Sequence, residues 1–214
     1  MIKRIVVSFF LCLGMVAGAA PVASAAPAVE APQAALKSSV EQLQSLITKH
    51  HAEYQANPQA FYKVVNQLVV PRFDVPYIAQ LVMSRYWRQA TAQQRLDFQN
   101  AFKDMLIRSY ANALLDNADT TTVEWLPSRY QKGATTATVK TMLVRNTGQK
   151  YPINFSVRLV DGSWKIYDIV VDNISLVLNF RTQIGADLQR NGVSAVIAKM
   201  RHETLPAAAP AVKK

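Results

Sequence analysis

The sequence predicts an α+β fold, with a helical N-terminal half packed on a four-stranded antiparallel meander and further helices at the C-terminus. Two observations carry this expectation. Apolar residues recur at three- and four-residue spacing up to about Leu114, then at two-residue spacing from Thr120 to Val171. The two-residue segments are separated by turn chemistry, Asn146-Thr147-Gly148 and the hairpin signal Asp161-Gly162.

Taken in order, the chain opens with Lys3 and Arg4, an apolar run from Ile5 and the small-residue site Ala23-Ser24-Ala25, which reads as a secretory signal peptide over residues 1–25. Residues 26–35, "APAVEAPQAA", read as a flexible arm before a domain spanning 36–203. That domain starts with a helix showing Leu36, Val40, Leu43 and Ile47 on one face. Asn57-Pro58 starts the next, a capping side chain followed by proline at the first helical position. Its apolar face is Phe61, Val64, Val65 and Leu68, and Pro71 ends it. Asp74 caps a short helix carrying Tyr77, Ile78, Leu81 and Val82. Thr91 and Gln94 form a capping-box pattern for a long helix with Leu96, Phe98, Phe102, Leu106, Tyr110 and Leu114.

Four strands follow, "TTTVEW", "TATVKTMLVR", "YPINFSVRLV" and "SWKIYDIVV". The third puts Tyr151, Ile153, Phe155, Val157 and Leu159 on one face, against Asn154, Ser156 and Arg158. A helix is expected after Asn173, broken at Asn191-Gly192 before a final helix "VSAVIAKM". The alanine, proline and lysine tail, 204–214, reads as disordered.

The segment 162–184 carries an apparent surplus of apolar surface. Alternation in its strand places Trp164, Ile166 and Val170 on one side and Tyr167, Ile169 and Val171 on the other, both mostly apolar. In the helix after it, Ile174, Leu176, Val177, Leu178, Phe180, Ile184 and Leu188 cover an arc of roughly 200°, about twice an ordinary amphipathic stripe. Such a helix is either sandwiched between layers or lines a cavity.

The single cysteine, Cys12, falls in the signal, so the mature chain has no disulfide, thiol nucleophile or cysteine metal site. Without Lys3 and Arg4, 22 basic residues face 14 acidic ones, a net +8 that favours anionic partners. No interleaved basic and aromatic motif suggests nucleic acid. A nucleophile elbow, a P-loop, a dinucleotide fingerprint and a zinc motif are all absent from the sequence. His50 and His51 are adjacent, whereas helical ligand pairs are spaced by three or four, so neither a metal nor a cofactor is expected. Asp168 and Asp172 have two readings, a general base in an apolar pocket or a structural carboxylate paired with an arginine. Arg181 falls inside the apolar arc, where an unpaired charge would cost several kcal/mol. Its partner is either an internal carboxylate (Asp168, Asp172 or Asp187) or a ligand phosphate, and the pair with Asp168 is favoured.

Two stretches resemble a known family. Residues 70–114, "VPRFDVPYIAQLVMSRYWRQATAQQRLDFQNAFKDMLIRSYANAL", combine a proline and Phe-Asp, then Trp-Arg-x-Ala-Thr-x-x-Gln, then a Phe-rich helix. The later stretch combines Trp-Lys-x-Tyr-Asp with Ser-Leu and Asn-aromatic-Arg. Together they resemble the toluene-tolerance, or MlaC, family over nearly all of the mature chain. One departure is Asp172-Asn173, where that pattern has an acidic residue and glycine.

The resemblance implies a Gram-negative periplasmic carrier, a monomer and not an enzyme, holding diacyl phospholipid between sheet and helices. It implies exchange with the MCE-domain subunit of an inner-membrane ABC transporter and with an outer-membrane lipoprotein–porin complex, maintaining outer-membrane lipid asymmetry. Two other classes stay open: a cone-fold isomerase or hydrolase, and a protein-binding adaptor with a filled core. On the carrier reading, the helices supply Tyr77, Leu81, Trp87, Phe98, Phe102, Leu106 and Tyr110 to the acyl chains. The third and fourth strands supply Ile153, Phe155, Val157, Tyr167, Ile169 and Val171, and the last long helix supplies Leu176, Val177 and Phe180. Arg181 and Asp168 are then a headgroup contact or a structural ion pair.

Overall fold

The structure is a computed structural model that describes residues 30–131 and 133–203. The expected signal peptide and tail lie outside them. Helix α1 spans Pro32–Ala56, α2 Pro58–Val64, α3 Val75–Met83, α4 Arg85–Gln89 and α5 Ala92–Asn117. Five strands follow, β1 Thr121–Trp125, β2 Thr136–Arg145, β3 Lys150–Val160, β4 Ser163–Val171 and β5 Ile174–Ser175, before α6, Leu176–His202. The fold is α+β, and the strands form one antiparallel sheet in chain order.

Several helix boundaries form for the reasons the sequence suggests. Asn57 and Asp74 accept backbone N–H groups of Ala60 and Tyr77, and Thr91 with Gln94 makes a reciprocal capping box. The helix after Asn57 does not end at once before Pro71. It widens into a π-helical turn, Val65–Val69, and tightens into a 3-10 turn, Val70–Arg72. Helix α1 begins at Pro32, inside the stretch expected as a flexible arm. Ala35 and Leu36 are buried against the sheet, and the Trp164 Nε1–H donates to the Glu30 carbonyl at 2.8 Å. Gly192, at φ 77°, breaks α6 where the sequence places a break.

The sheet has one more strand than expected. Asp172 and Asn173 take φ values of 49° and 65°, so they turn the chain tightly enough for Ile174 and Ser175 to pair back on β4 as a short fifth strand. Asn173 thus adopts the left-handed conformation that a glycine would take there.

The register also corrects the reading of β4 as apolar on both faces. Val157 pairs with Ile166 and Phe155 pairs with Ile169, which leaves Tyr167 as an extra residue in a β-bulge opposite Ser156 and Val157. Because paired residues share a face, the bulge shifts the phase of alternation by one. Trp164, Ile166, Ile169 and Val171 all join the face of Leu159, Val157, Phe155 and Ile153. The sheet therefore has one apolar face, and the helices cover it.

Buried residues fall into three apolar clusters. One joins α3, α5 and α6 around Phe98, Phe102 and Phe180; a second joins α1, α2 and α5 around Ile47, Phe61 and Leu115. The third sets Ala35 and Leu36 against Val139, Val157, Trp164 and Ile166 of the sheet.

Candidate functional site

The three clusters do not merge. Between them lies a cavity of about 500 Å³ whose wall includes Phe102, Val177 and Phe180 from the first, Val65, Ile107 and Ala111 from the second, and Phe73 and Ile169 from the third. Its size falls in the ordinary range of small-molecule sites, roughly 300–1,000 Å³. The wall is apolar except for Lys103, Tyr110, Tyr167 and Asp168. One face of α5 forms one side of it, from Phe102 and Lys103 through Leu106, Ile107, Tyr110 and Ala111 to Leu114. From Lys103 to Leu114 this face is roughly 16 Å long, at about 1.5 Å of rise per residue.

The Phe-Asp signature explains how the helical layer is held over the sheet. Phe73 pairs with Ile166 as an isolated parallel bridge, and the Asp74 N–H donates to the Ile166 carbonyl at 2.8 Å. The Asp74 carboxylate caps α3 and meets Arg158 at 3.3 Å, and that guanidinium lies 4.3 Å from the centre of the Tyr77 ring. Tyr77 in turn meets the bulged Tyr167 edge-on, with ring centroids 5.7 Å apart. These contacts lock the 3-10 turn and α3 along the edge of β4, leaving Val70, Phe73, Val75 and Ile78 in the cavity wall.

Of the residues expected to touch acyl chains, Phe102, Leu106, Tyr110, Ile153, Tyr167, Ile169, Leu176, Val177 and Phe180 line this cavity. The other seven do not. Tyr77 sits in the Arg158–Tyr167 contact just described, and Leu81 and Trp87 pack against the helical cluster, where Arg95 lies over the Trp87 ring at 5.3 Å. Phe98 is fully buried inside that cluster, stacked on Phe102. Phe155 and Val157 belong to the cluster under α1, and Val171 pairs with Ile153 and Ile174 without reaching the wall. Ile174 and Leu178, counted in the wide helical arc, are 57% and 58% exposed, so the arc that faces inward is narrower than the pattern suggests. The sequence reading missed the contribution of the π-helical and 3-10 turns (Val65, Val69, Val70) and that of Lys103. The apolar run Val69-Val70 beside Pro71 was the available signal.

Arg181 and Asp168 do not pair. Arg181 is exposed, its side chain makes no hydrogen bond or ion pair among the described residues, and it is not part of the cavity wall. Asp168 lines the cavity, but each carboxylate oxygen already accepts a hydrogen bond from the start of α6: Ser175 Oγ–H at 2.6 Å and the Val177 N–H at 3.1 Å. Its role is to cap that helix and tie it to β4, and Ser175 extends the cap by accepting the Leu178 N–H. Asp187, the third expected partner, meets Lys199 at 2.8 Å and Arg190 at 3.3 Å. Burial raises the Tyr110 phenol above its ordinary value of 10.0, so it stays protonated, a neutral group in an apolar wall. No group of three or more metal-ligating side chains occurs among the described residues, and no helix there is long and apolar enough to cross a membrane.

An α+β shell around an apolar cavity with few polar groups is the geometry of a small-molecule binding protein. The MlaC protein family model matches residues 37–202, and the chain belongs to that family. It is 31% identical over 167 residues to the toluene tolerance protein ttg2D of Pseudomonas putida, covering 77% of this chain and 76% of that one. It is 21% identical over 196 residues to the intermembrane phospholipid transport system binding protein MlaC of Haemophilus influenzae, covering 90% and 91%. Among solved structures, it is similar to the phospholipid-binding protein from Ralstonia solanacearum in complex with a phospholipid. The TM-score is 0.73 at 30% identity, over 80% of this chain and 95% of that one.

Proposed function

We propose that the mature chain is a monomeric periplasmic phospholipid carrier. It holds the acyl chains of a diacyl phospholipid in the cavity between α5, α6 and the sheet, and does no chemistry on them. It exchanges that lipid with the MCE-domain subunit of an inner-membrane ABC transporter and with an outer-membrane lipoprotein–porin complex, and so maintains lipid asymmetry in the outer membrane.

The observation that supports this reading best is the cavity, about 500 Å³ with an almost wholly apolar wall. Each CH₂ group moved through water would cost about 0.8 kcal/mol, so a carrier must keep apolar wall unfilled for its cargo. A protein-binding adaptor has no use for such a space. An isomerase would need a carboxylate presented to the substrate as a base, whereas Asp168 accepts hydrogen bonds on both oxygens from the start of α6 and serves as its cap. Family membership and the phospholipid held by the Ralstonia relative point the same way.

Transfer between vesicles tests it. Donor vesicles carrying a fluorescent phospholipid and acceptor vesicles without it should exchange label at a rate proportional to added protein. A rate no higher than that of vesicles alone, with no label on the re-isolated protein, overturns the reading.

A further inference from the structure

The cavity wall holds two charged side chains, and only Lys103 is a cation. Asp168 is committed to Ser175 and the backbone of α6. Lys103 is 25% exposed and meets Asp104 at 3.1 Å. Asp104 is its neighbour on the helix, about 100° around the axis, is 49% exposed and lies outside the wall. An ion pair of that exposure is weak, and it occupies at most one or two of the three ammonium protons.

We propose that Lys103 is the anion contact of the cavity: it takes the phosphate of the bound lipid and thereby sets the lipid's direction. This rests on the carrier reading. The phosphate sits beside Lys103, and the acyl chains lie along the apolar wall of Leu106, Tyr110 and Phe180. The role belongs to Lys103 and not to Arg181, which is exposed and off the wall. An ammonium on a flexible stem suits this task, because it recognises the phosphate as a point charge and leaves the variable part of the headgroup unread. The site therefore selects for a phosphate and tolerates what is attached to it.

Binding of two probes with the same labelled acyl chains separates the possibilities: a phosphatidylglycerol and the diacylglycerol that lacks its phosphate. Lys103→Gln should weaken phosphatidylglycerol binding about tenfold and Lys103→Glu more, while Lys103→Arg keeps it near wild type. Diacylglycerol binding should stay within about twofold throughout, which also shows that the variants are folded. Unchanged phosphatidylglycerol binding in Lys103→Glu overturns the assignment, and so does an equal loss for both probes. Wild type that binds diacylglycerol as tightly as phosphatidylglycerol also overturns it, but leaves the carrier reading standing. Wild type that binds neither probe removes both.

Discussion

Asp168 and Arg181 show how one residue's role turns on its nearest donors. In sequence they are a carboxylate and a guanidinium in apolar surroundings, and pairing them neutralises both at once. The structure satisfies Asp168 from its own turn, through the Ser175 hydroxyl and the Val177 N–H, and leaves Arg181 exposed to water. Arg181→Glu should therefore change stability by no more than about 0.5 kcal/mol in lipid-free protein, as for other surface substitutions. Asp168→Ala should cost about 1–3 kcal/mol, because it orphans a helix-start N–H and a hydroxyl. Urea unfolding of the two variants checks both, and a larger loss in Arg181→Glu than in Asp168→Ala would restore the buried pair. Asn173 makes a similar point. At φ 65°, Asn173→Gly should be neutral or slightly stabilising, whereas Asn173→Val should cost about 1–2 kcal/mol.

At the scale of elements, α6 is one helix made of two. Gly192 breaks it, and Asp187 before the break reaches Lys199 beyond it. The Lys199 hydrogen bond, aided by Arg190, lowers the Asp187 carboxyl below its ordinary value of 3.8, and Asp187 raises Lys199 above 10.5. A lowered carboxylate contributes stability above its unfolded value and loses it as the pH falls through the folded one. The clamp is thus intact at neutral pH and is released in acid, as the pH falls below 3.8 and through the lowered folded value. It is a surface pair, so Asp187→Asn should cost only about 0.2–1 kcal/mol at pH 7. Thermal melts of wild type and variant should converge as the pH falls through that lowered value; a gap that persists once Asp187 is protonated would show that the pair is not its source.

The elements were largely legible in the sequence where a residue's local chemistry decides the outcome. Asn57, Asp74, Thr91 with Gln94, and Asp161-Gly162 act through their own backbone neighbours. The bulge at Tyr167 was not legible, because a single phase shift between Ile166 and Ile169 gives the same residue string as a strand apolar on both faces. The site was legible only in part. Phe98 and Phe102 share the periodicity of one helix face, yet one fills the core and the other lines the cavity. That difference depends on how closely three separate clusters approach, which no local pattern encodes.

For the whole molecule, the cavity is the place where the packing of three clusters stops short. Filling it should separate stability from ligand capacity. Leu106 lines the wall and is only partly buried, so Leu106→Trp can extend into open space without the overpacking penalty of about 1–3 kcal/mol expected in a closed core. Its melting temperature should equal or exceed that of lipid-free wild type while its lipid content falls. The most direct measurement is mass spectrometry of the organic extract of wild-type protein purified without detergent, with lipid counted per chain, beside that variant. Diacyl phospholipid of mixed headgroups should be present in wild type and depleted in Leu106→Trp. A wild-type extract free of phospholipid, or lipid equally abundant in a stable Leu106→Trp, would show that the cavity does not hold it.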